Sequence, residues 1–81
     1  MEVSFNLLRT FKVVAQYGSI SKASKKLCLT QPSVTKTIKK LESQLNMTLF
    51  VREKKGMVLT DNGKMLYRYI SWFRRINWIK C

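Results

Sequence analysis

The chain has 81 residues; 46% are hydrophobic, 16 are Lys or Arg, four are Asp or Glu and none is His, giving a formal net charge of +12 and a pI of about 10.3. This length allows one small domain, near the lower limit at which an apolar core holds without staples, and the apolar content argues against global disorder. The lack of His excludes the common zinc sites, and no hydroxyl or thiol has a base near it in sequence, so neither enzymatic activity nor a cofactor is expected.

The first residues, Met-Glu-Val-Ser-Phe-Asn, lack the basic start, long apolar run and cleavage site of a signal peptide. No stretch reaches the roughly 18 apolar residues of a spanning helix. A cytoplasmic location is therefore expected. From about Phe5 to Tyr17, the residues Leu7, Leu8, Phe11, Val14 and Ala15 keep a helical period. Ser4 is a candidate cap, Gly18 a natural stop, and Arg9 and Lys12 are expected on the outer face.

Ser19 or Ser21 can cap a second, short helix with Ile20, Ala23 and Leu27 on one side and Lys22, Lys25 and Lys26 on the other. Cys28 lies in the apolar run Leu27-Cys28-Leu29 and reads as a small buried hydrophobe. With Cys81, read as a free thiol, it is too little for a disulfide scaffold.

Thr30 and Pro32 then open a third helix, the Thr as a hydroxyl cap and the Pro where its missing N–H costs nothing. Val34, Ile38, Leu41 and Leu45 form one narrow apolar stripe. The other face shows Gln31, Ser33, Thr35, Lys36, Lys39 and Lys40, side chains that hydrogen-bond or carry positive charge. Taken alone, the stretch suits either a major-groove helix or an ordinary solvated amphipathic one.

Two observations favour the groove. A short helix, a tight turn and a longer helix with a polar front form the helix-turn-helix pattern, and Ala23 is the small residue that a steep crossing requires. No acidic residue falls between Glu2 and Glu42, while eight Lys and Arg do. Such uncompensated charge is best tolerated beside a polyanion, nucleic acid first and an anionic membrane surface second.

After Asn46, a candidate left-handed cap, Thr48–Val51 and Met57–Leu59 are β-prone runs separated by Arg52-Glu53-Lys54-Lys55-Gly56. A hairpin with a loop of several residues is expected, with Leu49, Phe50 and Leu59 packed on the helices and a basic tip left outside. Beside a helix-turn-helix, such a hairpin is a wing, placed to reach phosphates or a minor groove. The bland alternative is a solvated charged turn.

Thr60 and Asp61 restart a helix in which Leu66, Tyr69, Phe73 and Ile76 are spaced 3, 4, 3, with Met65, Trp72 and Ile79 as a second apolar row. Two rows exceed what so small a domain can cover, so the helix is expected to pair with a second subunit. The stretch Trp72–Lys80 is also basic and aromatic, which keeps a membrane-surface role open as a competitor.

With these pieces in order, the sequence resembles the N-terminal DNA-binding domain of LysR-type transcriptional regulators. The matching residues are Leu8-x-x-Phe11, Val14-Ala15, Gly18-Ser19-Ile20-Ser21-Lys22-Ala23-Ser24, Leu27, Gln31-Pro32-Ser33-Val34-Thr35-Lys36-x-Ile38, Leu41-Glu42, Leu45, Leu49-Phe50-x-Arg52 and Leu59-Thr60-x-x-Gly63. They keep unbroken register from about Leu7 to Tyr69.

The resemblance implies a mainly α fold: a winged helix-turn-helix of three helices and a two-stranded hairpin over residues 1–60, then a linker and dimerisation helix over 61–81. It implies that Gln31, Pro32, Ser33, Thr35 and Lys36, with Lys39 on the same face, meet base edges or phosphates. Ser21 and Lys22 would touch backbone phosphate, and Arg52, Lys54 and Lys55 would serve the wing. The implied partners are double-stranded DNA, a second copy paired through Leu66, Tyr69, Phe73 and Ile76, and RNA polymerase.

Two departures stand out. Lys36 stands where the family commonly has Arg, which trades a bidentate guanine contact for a point charge. The family's effector domain has no counterpart in these 81 residues, and the tail from Ser71 is unfamiliar. If the chain is whole, DNA binding without a small-molecule effector is expected, as a simple repressor or as a dominant-negative partner of a full-length relative. If it is a fragment, the effector domain lies beyond it.

Overall fold

The computed structural model describes residues 4–77, with side chains as far as Ser71. Six elements follow in order: α1 (Phe5–Tyr17), α2 (Ile20–Leu27), α3 (Gln31–Leu45), β1 (Phe50–Glu53), β2 (Gly56–Leu59) and α4 (Asp61–Asn77). Expectations placed on the side chains of Trp72, Phe73, Ile76 and Ile79, on the aromatic stretch to Lys80 and on Cys81 lie outside the described residues.

The first three helices begin where hydroxyls can cap them. The N–H groups of Leu7, Lys22 and Ser33 donate to the side-chain oxygens of Ser4, Ser19 and Thr30, so Ser19 rather than Ser21 caps α2. Each ends on a left-handed residue: Gly18 at φ 61°, Cys28 at φ 58° and Asn46 at φ 57°. Gly takes that conformation freely and Asn tolerates it. Cys28 is the unexpected member. It is exposed, not a buried hydrophobe, because a residue terminating the helix in this conformation sits outside the turn it closes.

The core is Leu7, Phe11 and Val14 of α1, Ile20 and Ala23 of α2, Val34, Ile38 and Leu41 of α3, then Leu49, Phe50 and Ile70. Ala23, the small residue expected where α2 crosses α3, is fully buried. The rings of Phe11 and Phe50 meet with centroids 5.3 Å apart and tilted at 49°, which ties the hairpin to the centre of α1. Lys12, expected on the outer face, is instead 6% exposed, and Arg9 is half-buried. A lysine's four-carbon stem can cover apolar surface, so its position in the helical period does not force it outward.

The hairpin also departs from expectation. Phe50 rather than Thr48 begins β1, and the antiparallel pairing Phe50↔Leu59, Val51↔Val58, Arg52↔Met57 and Glu53↔Gly56 leaves only Lys54 and Lys55 as the turn. Neither lysine takes a positive φ; Gly56, directly after them, does, at 127°. The positive φ thus falls on a glycine just after the turn, where there is no Cβ to clash. Leu49 and Phe50 are buried and Leu59 packs against the core, as the hairpin's marginal stability demands.

The chain of caps continues into α4. The Thr60 N–H donates to the Leu49 carbonyl at 2.9 Å and its hydroxyl to the Thr48 carbonyl at 2.6 Å, while the Gly63 N–H donates back to the Thr60 hydroxyl. Ile70, which neither apolar row included, is 2% exposed and packs in the core, with Leu66 partly buried against it. One face of α4 thus belongs to the domain itself.

Candidate nucleic-acid interface

The front of α3 is built by its period. Val34, Ile38 and Leu41 are buried, and this turns Gln31, Pro32, Lys36, Lys39 and Lys40 outward, with Ser33 and Thr35 half-buried at the margin. Gln31, Pro32, Ser33, Thr35, Lys36 and Lys39 line one open concave surface. Thr37 is spent locally: its hydroxyl donates to the Ser33 carbonyl at 2.9 Å.

Electrostatics favour an anion there. No acidic residue lies in the first turn of α3, so nothing offsets the positive end of its peptide dipoles, and Lys36 and Lys39 add full charges.

Against α3 lies the hairpin. Thr35, Ile38, Lys39 and Glu42 from α3, Phe50, Arg52 and Met57 from the hairpin and Ile20 from α2 line a cleft of about 190 Å³. Of the wing residues, Arg52 is thereby brought beside Thr35 and Lys39. Lys54 and Lys55 are exposed at the turn and line neither surface. Ser21 and Lys22 are exposed in the first turn of α2, flanking α3 but outside its concave surface. On α4, Leu66 faces the core, whereas Tyr69 is 65% and Met65 53% exposed.

Two features of the site were not among the expected residues. The Glu42 carboxylate accepts hydrogen bonds from the Leu49 and Phe50 N–H groups at 2.7 and 3.3 Å, joining α3 to the base of the hairpin. Its signal in the sequence was its isolation, the single acid in a long cationic stretch. The second is a backbone contact. The Met57 N–H donates to the Gly18 carbonyl at 3.1 Å, so β2 is docked on the end of α1 just beyond the turn. Gly56, next to Met57, lies against the same Gly18 carbonyl, and two glycines meeting across 38 positions leave no sequence signal of their own.

Comparison with known proteins places this geometry. Residues 5–64 match the family model described as bacterial regulatory helix-turn-helix protein, lysR family. The uncharacterized HTH-type transcriptional regulator YusT of Bacillus subtilis (strain 168) is 45% identical over 64 residues, 79% of this chain and 22% of that protein. The RuBisCO operon transcriptional regulator of Allochromatium vinosum is 38% identical over 69 residues, 85% of this chain and 23% of that protein. The chain thus spans less than a quarter of the length of these relatives.

Among solved structures, the BenM DBD/catB site 1 DNA complex superposes with a TM-score of 0.83 at 31% identity, covering 91% of this chain and 83% of that one. A family match over most of the sequence, with the same fold in a DNA-bound relative, fixes the assignment: the chain belongs to the LysR family of bacterial regulatory helix-turn-helix proteins.

Proposed function

We propose that the chain binds double-stranded DNA sequence-specifically and regulates transcription, with α3 in the major groove and the basic hairpin on the backbone or in the minor groove. The observation that carries this reading is the single open surface formed by Gln31, Pro32, Ser33, Thr35, Lys36 and Lys39. In this reading Gln31 and Lys36 meet base edges, Pro32, Ser33, Thr35 and Lys39 shape and hold the approach, and Ser21, Lys22, Arg52, Lys54 and Lys55 bind phosphate. DNA in the BenM complex supports it, since the two chains share the fold and near a third of their residues. The family match favours DNA over a membrane surface as the polyanion.

In this reading residues 1–60 carry the DNA-binding surface, and α4, whose inner face completes the core through Ile70, is also the linker through which two copies pair, so the bound site has twofold symmetry. Binding, not catalysis, is the activity, in the interior of the cell where the DNA is. RNA polymerase is a further partner in this reading.

Selection of bound duplexes from a random pool, with the mass of the complex measured, tests all of this. A palindromic or pseudo-palindromic consensus occupied by two chains is the expected result. Gln31→Ala should then cost roughly 1–3 kcal/mol on that site and relax the base preference at one position per half-site. Equal affinity of the Gln31→Ala variant for selected and random DNA, with the parent equally indifferent, would refute sequence-specific recognition.

A further inference from the structure

Glu42 is one of four acidic residues in a chain of net charge +12, and it lies on α3 one turn beyond Lys39. A carboxylate among phosphate-seeking cations would repel the same DNA if it faced outward. It faces the hairpin instead. Both hydrogen bonds end on one oxygen, Oε2, with the Leu49 N–H at 2.7 Å and the Phe50 N–H at 3.3 Å. Leu49 and Phe50 are 0% and 6% exposed, so water has little access to replace that acceptor.

The same residue acts on the loop from its other end. The Glu42 carbonyl accepts from the Met47 N–H at 3.0 Å as α3 terminates. One residue therefore closes the Asn46–Leu49 connection from both sides and sets where β1 leaves the recognition helix. Among the described residues, β1 has β2 on one edge and no third strand on the other. At its base the Glu42 carboxylate supplies the acceptor that a strand would have supplied.

We propose that Glu42 is a positioning residue for DNA binding, its inward carboxylate fixing the angle between α3 and the wing so that Arg52, Lys54 and Lys55 reach phosphate while α3 is in the groove. This role rests on the proposed DNA-binding function. It makes no contact with DNA, and it acts through the wing alone. That restriction gives it a signature different from general stabilisation.

The test is a double-mutant cycle with the full chain and the duplex recovered by selection. Glu42→Ala is combined with a wing-neutralised variant, Arg52→Ala/Lys54→Ala/Lys55→Ala, and affinity is measured across a range of salt. In the parent background Glu42→Ala should lower affinity and flatten the salt dependence by about one to two counterions, as loss of wing phosphate contacts does. In the wing-neutralised background it should do much less. Amide exchange at Leu49 and Phe50 should accelerate in Glu42→Ala, while Glu42→Gln, which keeps an acceptor oxygen, should restore most of both effects. Should Glu42→Ala not fold, Glu42→Gln enters the cycle in its place, with a smaller effect of the same pattern.

An equal loss of affinity in both backgrounds would overturn the role, since Glu42 would then be stabilising the fold at large. So would unchanged exchange at Leu49 and Phe50. Failure of the parent chain to bind any duplex is a separate result: it removes the proposed function itself, and this role with it.

Discussion

Gly56 and Cys28 both take a positive φ, with opposite consequences. At Gly56 φ is 127°, and a Cβ built there would run into the Gly18 carbonyl, the same oxygen that accepts from Met57. Gly56→Ala therefore strains the backbone and pushes β2 off the end of α1 in one step. It should destabilise the domain by about 1–3 kcal/mol, read as a lowered midpoint in urea unfolding. Cys28 carries its side chain at φ 58° with the thiol exposed, so it bears the left-handed penalty of about 1–2 kcal/mol without a core contact in return. Cys28→Gly removes that penalty and adds chain entropy to the unfolded state, for a net gain of about 0.5–1 kcal/mol. A loss of stability on that substitution would show that the thiol makes a contact worth more than the strain.

Elements were legible in the sequence where periodicity and local chemistry agree, and illegible where the deciding contact is distant. α3 could be read almost residue by residue, because Thr30, Pro32 and the Val34–Ile38–Leu41 stripe each act within one or two turns. The hairpin could be placed but not shaped. Gly56, at φ 127°, lies against Gly18 where β2 docks on the end of α1, and the base of the hairpin is fixed by Glu42 from another element. Gly18 is 38 positions from Gly56, and Glu42 reaches Leu49 across seven positions from a different element. Ile70 stands outside both rows for a different reason: the 3, 4, 3 spacing runs from Leu66 to Tyr69, whereas the core takes Leu66 with Ile70, four positions on, and leaves Tyr69 65% exposed. The outward-facing cations of the wing remain its simplest feature, and they predict a simple behaviour. Lys54→Ala and Lys55→Ala should each weaken binding to selected and random duplexes alike and lower the salt slope by about one unit per lost phosphate contact. A change confined to the selected site would instead place these lysines on bases.

At the scale of the whole molecule, the domain uses one face of α4 and leaves another uncovered. Ile70 and Leu66 pack inward, while Met65 and Tyr69, one turn apart, are 53% and 65% exposed, and Phe5 at the start of α1 is 51% exposed. In the proposed dimer, the Met65–Tyr69 face of α4 is the one that the second copy covers. The charge bears on the same question. Two copies at +12 each repel one another, so pairing in the absence of DNA needs apolar contact to offset the repulsion, and added salt should strengthen it. Tyr69→Glu places a carboxylate on that face without touching the core. The expected result is a chain that melts within a few degrees of the parent yet sediments as a monomer where the parent is a dimer. Its affinity for a full two-half-site duplex should fall by roughly a hundredfold, as the second half-site no longer binds as part of the same complex, while affinity for a single half-site is unchanged. If the variant still sedimented as a dimer with full affinity, the pairing surface would lie off this face of α4, and the exposure of Met65 and Tyr69 would need another occupant.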